Sequence, residues 1–183
     1  TVFFLIIKVF SLYFLAVSLF GLCRRRTPEP AARLRRFAVL IAARNEESCI
    51  AGLIESLRAQ HYPPELVDIW VLPNNCTDRT AEAALRAGAQ VLEMPASVRS
   101  KGAALHTAAK ALLRSARNYD AFCVFDADNE ADPAFLSEMN RALDRTAIVK
   151  SRILAKNRTQ AGISACYEIY FCSANHFLNR ARE

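Results

Sequence analysis

Two carboxylates one residue apart, Asp126 and Asp128, close the apolar run Phe122-Cys123-Val124-Phe125. A run of that length reads as a buried strand. The acids then lie at its carboxyl end, where open α/β sheets hold their ligands. Two carboxylates there, near a basic loop, suit a hard divalent cation pressed against phosphate oxygens, Mg2+ or Mn2+. In a chain with 18 Asp and Glu an isolated Asp-x-Asp is weak, and a solvated acidic turn competes with it. Other polar clusters also follow apolar runs: Ala43-Arg44-Asn45-Glu46-Glu47, Asn74-Asn75-Cys76-Thr77 and, in a loop, Lys101-Gly102. Alone, Glu46 and Glu47 read as acids of a helix N-terminus, Asn74 and Asn75 as turn formers, and Lys101-Gly102 as an ordinary loop.

These residues need a scaffold that brings strand ends together. Apolar runs predict strands over 37–42, 67–72, 90–93 and 121–125, with a fifth at 147–149. Helical spacing joins Ile50, Leu53, Ile54 and Leu57, after a start at Asn45-Glu46-Glu47 and before a stop at His61-Tyr62-Pro63-Pro64. Thr77 is positioned to cap a helix running to Gly88. Leu105, Ala108, Ala109 and Leu112 mark another, and Asp132-Pro133 opens one carrying Phe135, Met139 and Leu143. The alternation predicts an α/β fold, a mainly parallel Rossmann-like sheet with helices on both faces. Spatial order 3-2-1-4 would gather the loops after strands one, two and four in one crevice.

The first residues read differently. Val2 to Cys23 is apolar except for Lys8 and two serines, and as a helix would measure about 33 Å, enough for a bilayer core. The arginines at 24, 25, 26, 33, 35 and 36 read as a topology signal touching anionic headgroups, in preference to a nucleic-acid patch. The expected organisation is a transmembrane helix (1–23), a basic linker (24–36), an α/β domain (37–160) and an amphipathic or interface helix (161–183). It implies a membrane protein, of a bacterial inner membrane, with its N-terminus outside and the catalytic domain cytoplasmic. Both chain ends read as cut. The 52% hydrophobic content excludes disorder. Six cysteines without ligand spacing read as reduced and structural.

Four motifs in this order resemble glycosyltransferase family 2, the inverting nucleotide-sugar transferases with a GT-A type fold, over roughly 37–183. They are Ala42-Ala43-Arg44-Asn45-Glu46-Glu47, Asn74-Asn75-Cys76-Thr77-Asp78-Arg79-Thr80-Ala81-Glu82, Lys101-Gly102-Ala103-Ala104-Leu105 and Phe125-Asp126-Ala127-Asp128-Asn129. The resemblance implies that Ala43, Arg44 and Glu46 line a nucleoside pocket and that Asn74 meets a uracil edge. It implies that Lys101 lies near the donor's phosphates or ribose, that Asp126 faces ribose and metal, and that Asp128 ligates the metal. The donor implied is a UDP-sugar and the acceptor a glycan or lipid-linked hydroxyl. Three departures stand out: Asn at 74 where Asp is usual, Ser100 where Gly is common and His106 where Asn is common. The family's catalytic base and acceptor motif would lie beyond Glu183. The alternative is a non-catalytic, membrane-tethered subunit that keeps the fold for partner binding. A nucleotidyltransferase or dehydrogenase would need a glycine-rich loop after strand one, which Ala42-Ala43-Arg44-Asn45 does not supply.

Overall fold

The structure is a computed structural model that describes residues 2–21, 31–154 and 166. The chain divides into two compact units, one formed by Pro30–Val149 and the other by Thr1–Glu29 with Lys150–Glu183.

In the second of these, Val2–Gly21 forms helix α1, whose described large apolar side chains are exposed. Among the described residues no helix is long and apolar enough to cross a membrane. This corrects the expected transmembrane helix. Crossing takes about 20 predominantly apolar residues in one helix, and the described residues do not meet that requirement. The membrane partner, the inner-membrane location and the orientation inferred from the span fall with it. The expected helix over 161–183 lies outside the described residues, apart from Cys166.

The unit Pro30–Val149 is the α/β sandwich. Strands β1 (Phe37–Ala43), β2 (Val67–Pro73), β3 (Gln90–Val91) and β4 (Ala121–Asp126) form one sheet in the order β3-β2-β1-β4. Every pairing is parallel. That order is the one the alternation predicts. The helices are α2 (Ile50–Arg58), α3 (Thr80–Arg86), α4 (Lys101–Leu113) and α5 (Phe135–Ala142).

Strand periodicity explains the layers. Val39, Ile41 and Ala43 point to one face and pack with Ile50, Leu53, Ile54 and Leu57 of α2 and Ala83 and Ala84 of α3. Ala38 and Leu40 point to the other and pack with Ala108 and Leu112 of α4. Strand β1 is covered on both faces, so it reads as an uninterrupted apolar run. Leu136 of α5 closes one end of the core against Phe37 and Tyr62.

Three local expectations change. Residues 147–149 form no strand, and Ile148 is 87% exposed. Helix α2 begins at Ile50, after a turn in which the Glu46 carbonyl accepts from the N–H groups of Cys49 and Ile50. Thr77 does not cap α3, because its N–H donates to Asn45 Oδ1 at 2.8 Å and the helix starts at Thr80.

Of the basic cluster, the arginines at 24, 25 and 26 lie outside the described residues, and the other three have a different use. Arg33 pairs with Asp120 at 2.9 Å and Arg35 with Asp144 at 2.7 Å. Arg36 donates to the Glu65 carbonyl at 2.7 Å and lies 3.8 Å from Asp68. These three guanidinium groups staple the entry of β1 to the rest of the unit, and so do not serve as a lipid-facing signal. The N–H of Arg36, followed by the Arg33 guanidinium, holds the Asp120 carboxyl below the usual carboxylate range.

Helix α3 ends in a Schellman turn. The N–H of Gly88 donates to the Leu85 carbonyl and that of Ala89 to Ala84, with Gly88 at φ +89°. A Cβ at Gly88 would collide with the Arg58 guanidinium that lies over it. Gly88→Ala is therefore expected to lower unfolding free energy by about 1–2 kcal/mol, measured by urea denaturation.

Candidate functional site

Parallel register sets the site. Ala43 is level with Pro73, and Ala42 with Asp126, so β2, β1 and β4 end together on adjacent strands. The loops that follow leave the sheet side by side, at the point where strand order reverses.

Ala43 is buried, and its carbonyl accepts from the Asn74 N–H at 2.9 Å, extending the β1–β2 ladder by one rung. Asn74 is 7% exposed. Its Oδ1 accepts from Asn75 Nδ2 at 2.8 Å, and that same amide nitrogen donates to the Val98 carbonyl at 2.8 Å. One lone pair of the Asn74 oxygen is thus engaged and a second is left. Asn45 and Asn75 hold φ of 59° and 53°, a left-handed conformation that asparagine tolerates better than most residues. Arg44 is exposed and makes no hydrogen bond or ion pair among the described residues.

Glu46 is half-buried, with its N–H donating to Thr80 Oγ1 at 2.9 Å and its Oε2 accepting from the Cys49 thiol at 3.1 Å. Burial first, then the Glu46 hydrogen bond and the charges of Glu46 and Asp128, push the Cys49 thiol up to about 11. The Cys49 thiol therefore lies within electrostatic reach of carboxylates from both the β1 loop and the β4 end. Cys49, Cys76, Cys123 and Cys166 are free thiols. Burial pushes the Cys123 thiol up to about 12.

Asp126, the last residue of β4, forms an ion pair with Lys101, the first residue of α4. The Asp126 carbonyl accepts from the Asn129 N–H at 3.1 Å, making a tight turn that leaves Asp128 exposed. Ser100 caps α4 by accepting the Ala103 N–H at 3.2 Å. That gives the serine a structural reason to stand there.

Sequence reasoning missed the residues that join the first two loops. Asn45 accepts from Thr77, Asp78 Oδ2 accepts from the Glu47 N–H at 3.1 Å, and Glu47 Oε2 accepts from the Arg79 N–H at 3.2 Å. Glu47 also pairs with the Arg79 guanidinium at 3.1 Å. Chiefly the Thr80 hydroxyl holds the Asp78 carboxyl below the usual carboxylate range. The sequence signal was the polar stretch Asp78-Arg79-Thr80 just ahead of the alanines of α3; the structure buries its threonine completely. Away from this rim, a cleft of about 330 Å³ opens beside the starts of β2 and β3, lined by Arg58, Tyr62, Asp68 and Gln90 among others.

Among the described residues no group of three or more His, Cys, Asp or Glu could hold a metal ion. The chain thus offers two oxygen donors at the β4 end, Asp126 and Asp128. That fits a cation whose other ligands are phosphate oxygens and water. It does not fit a closed structural site.

The comparisons with known proteins come to the same class. Glycosyl transferase family 2 matches residues 38–180. The chain belongs to that family. It is similar in fold to the mannosyltransferase PcManGT of Pyrobaculum calidifontis, a structure in complex with GDP-Man and Mn2+, at 22% identity and a TM-score of 0.60. That match covers 75% of this chain and 40% of that enzyme. A second similar structure is glucosyl-3-phosphoglycerate synthase of Mycobacterium tuberculosis in complex with UDP, at 29% identity and a TM-score of 0.42. It covers 52% of this chain and 34% of that one. The chain thus spans well under half the length of either. No curated protein matches it.

Proposed function

We propose that the unit Pro30–Val149 binds a nucleoside-diphosphate sugar and is the donor-holding part of a glycosyltransferase. The observation that carries this reading is the meeting of Glu46, Asn74 and the Asp126–Asp128 turn at one end of three adjacent parallel strands. Family membership supports it.

In this reading Ala43, Arg44 and Glu46 line the nucleoside pocket. The free lone pair of Asn74 Oδ1 accepts a base N–H. Asp128, with Asp126, would hold Mg2+ or Mn2+, which when bound offsets charge on the departing diphosphate. Lys101 neutralises Asp126 in the free protein and lies where its ammonium can turn to phosphate oxygens. The sugar passes to an acceptor hydroxyl with inversion, which needs a general base on the opposite face of the ring.

Calorimetry on the chain tests the reading. UDP is expected to bind at least about tenfold more tightly with Mn2+ than with EDTA. Equal binding in both would remove the metal from the site. Failure of both UDP and GDP to bind would end the donor proposal.

A further inference from the structure

Thr80 is fully buried, yet it is the first residue of α3, directly after the exposed stretch Thr77-Asp78-Arg79. Its hydroxyl accepts the Glu46 N–H at 2.9 Å and donates to Asp78 Oδ1 at 2.5 Å. The other oxygen of Asp78 accepts the Glu47 N–H, and the Glu47 carboxylate reaches back to Arg79. The bonds form a closed circuit: two backbone N–H groups of the first loop end on side chains of the second, and one N–H of the second ends on a side chain of the first. Two residues earlier Asn45 adds the same kind of tie to Thr77. The Thr80 bonds to Glu46 and Asp78 are the part-buried ones, so their loss carries the larger desolvation cost, whereas the bonds of Glu47 with Asp78 and Arg79 lie where water can replace them.

We infer that Thr80 and Glu47 are positioning residues that clamp the loops after β1 and β2 together, fixing the distance between Glu46 and Asn74 across which a nucleoside is held. Neither needs to touch the nucleotide. The circuit includes neither Lys101 nor Asp126 nor Asp128, so the diphosphate half of the site should not feel its loss. This inference rests on the donor-binding reading and adds a division of labour to it.

The variant Thr80→Val fills the same volume without the hydroxyl, and Thr80→Ser keeps the hydroxyl. Calorimetry with UDP and, separately, with inorganic pyrophosphate, both in Mn2+, reads the two halves. Thr80→Val is expected to weaken UDP about tenfold while pyrophosphate affinity stays within about twofold, and Thr80→Ser is expected to restore UDP binding. Glu47→Gln, at a partly exposed position that carries less folding risk, is expected to weaken UDP about threefold with the melting temperature unchanged. The inference is overturned if Thr80→Val binds UDP as the unaltered chain does. It is equally overturned if UDP and pyrophosphate weaken together and serine rescues neither. If the unaltered chain binds pyrophosphate with Mn2+ but no nucleotide, the donor reading itself is what fails.

Discussion

Replacing Asp128 by alanine is expected to weaken UDP binding in Mn2+ by about a hundredfold, or about 2.8 kcal/mol, while leaving the weaker binding in EDTA within about twofold. Asp128 is exposed on the turn that ends β4 and makes no hydrogen bond or ion pair among the described residues. Its removal therefore breaks nothing that supports the fold, and thermal melting should stay within about 2 °C. Asp126 differs, because Lys101 already neutralises it. Asp126→Ala frees that ammonium to meet the diphosphate directly, so its loss in affinity should be smaller than that of Asp128→Ala. Calorimetry of both variants with and without Mn2+ checks the order. If Asp128→Ala lost as much affinity in EDTA as in Mn2+, the carboxylate would be contacting the nucleotide rather than a cation.

Asp68→Ala is expected to cost about 2–3 kcal/mol of unfolding free energy, read as a lower urea midpoint. This carboxylate sits in β2 at 9% exposure. It accepts from Arg117, from the Tyr119 hydroxyl at 2.9 Å and from Gln90 Nε2 at 3.2 Å. Trp70 Nε1 donates to the same tyrosine oxygen at 3.1 Å. Removing the shared acceptor strands the half-buried tyrosine and glutamine, whereas the exposed Arg117 can return to water, which keeps the cost below that of a fully buried pair. Asp68 lies at the start of β2, away from the strand ends that carry Asn74 and Asp126, so UDP affinity of the folded variant should be unchanged. A loss below about 0.5 kcal/mol would mean that water already serves these donors.

The two substitutions separate the jobs of the strand ends. At the amino ends, polar groups are satisfied internally and hold the sheet together. At the carboxyl ends, Asp128 and Arg44 are exposed and without such partners among the described residues.

Much of the fold was legible because its signals are local. The apolar run of β1 marks a strand buried on both faces, and the spacing of Ile50, Leu53, Ile54 and Leu57 marks one helical stripe. Alternation of the two then compels parallel pairing, since neighbouring parallel strands need a crossover. The fifth strand was misread because Ala147-Ile148-Val149 has strand composition but no strand partner among the described residues, and composition alone does not make a ladder. The expected membrane helix rested on the length and apolarity of 2–23 and on the arginines after it, and the described residues do not meet the length and apolarity that crossing requires.

What the sequence by itself determined is the periodic skeleton and where each polar loop interrupts it. Those depend on residues within a few positions of each other, so spacing is enough to read them. Only the tertiary structure decided what the polar residues do once there. It paired Arg33, Arg35 and Arg36 with Asp120, Asp144 and Glu65, joined Lys101 to Asp126, and tied Glu46 and Glu47 to the Asp78–Thr80 segment. Each of those partners lies 25 or more residues away along the chain. No local pattern encodes such a pair, because a charged or hydroxyl side chain is equally at home in water until the folded chain brings one partner within reach.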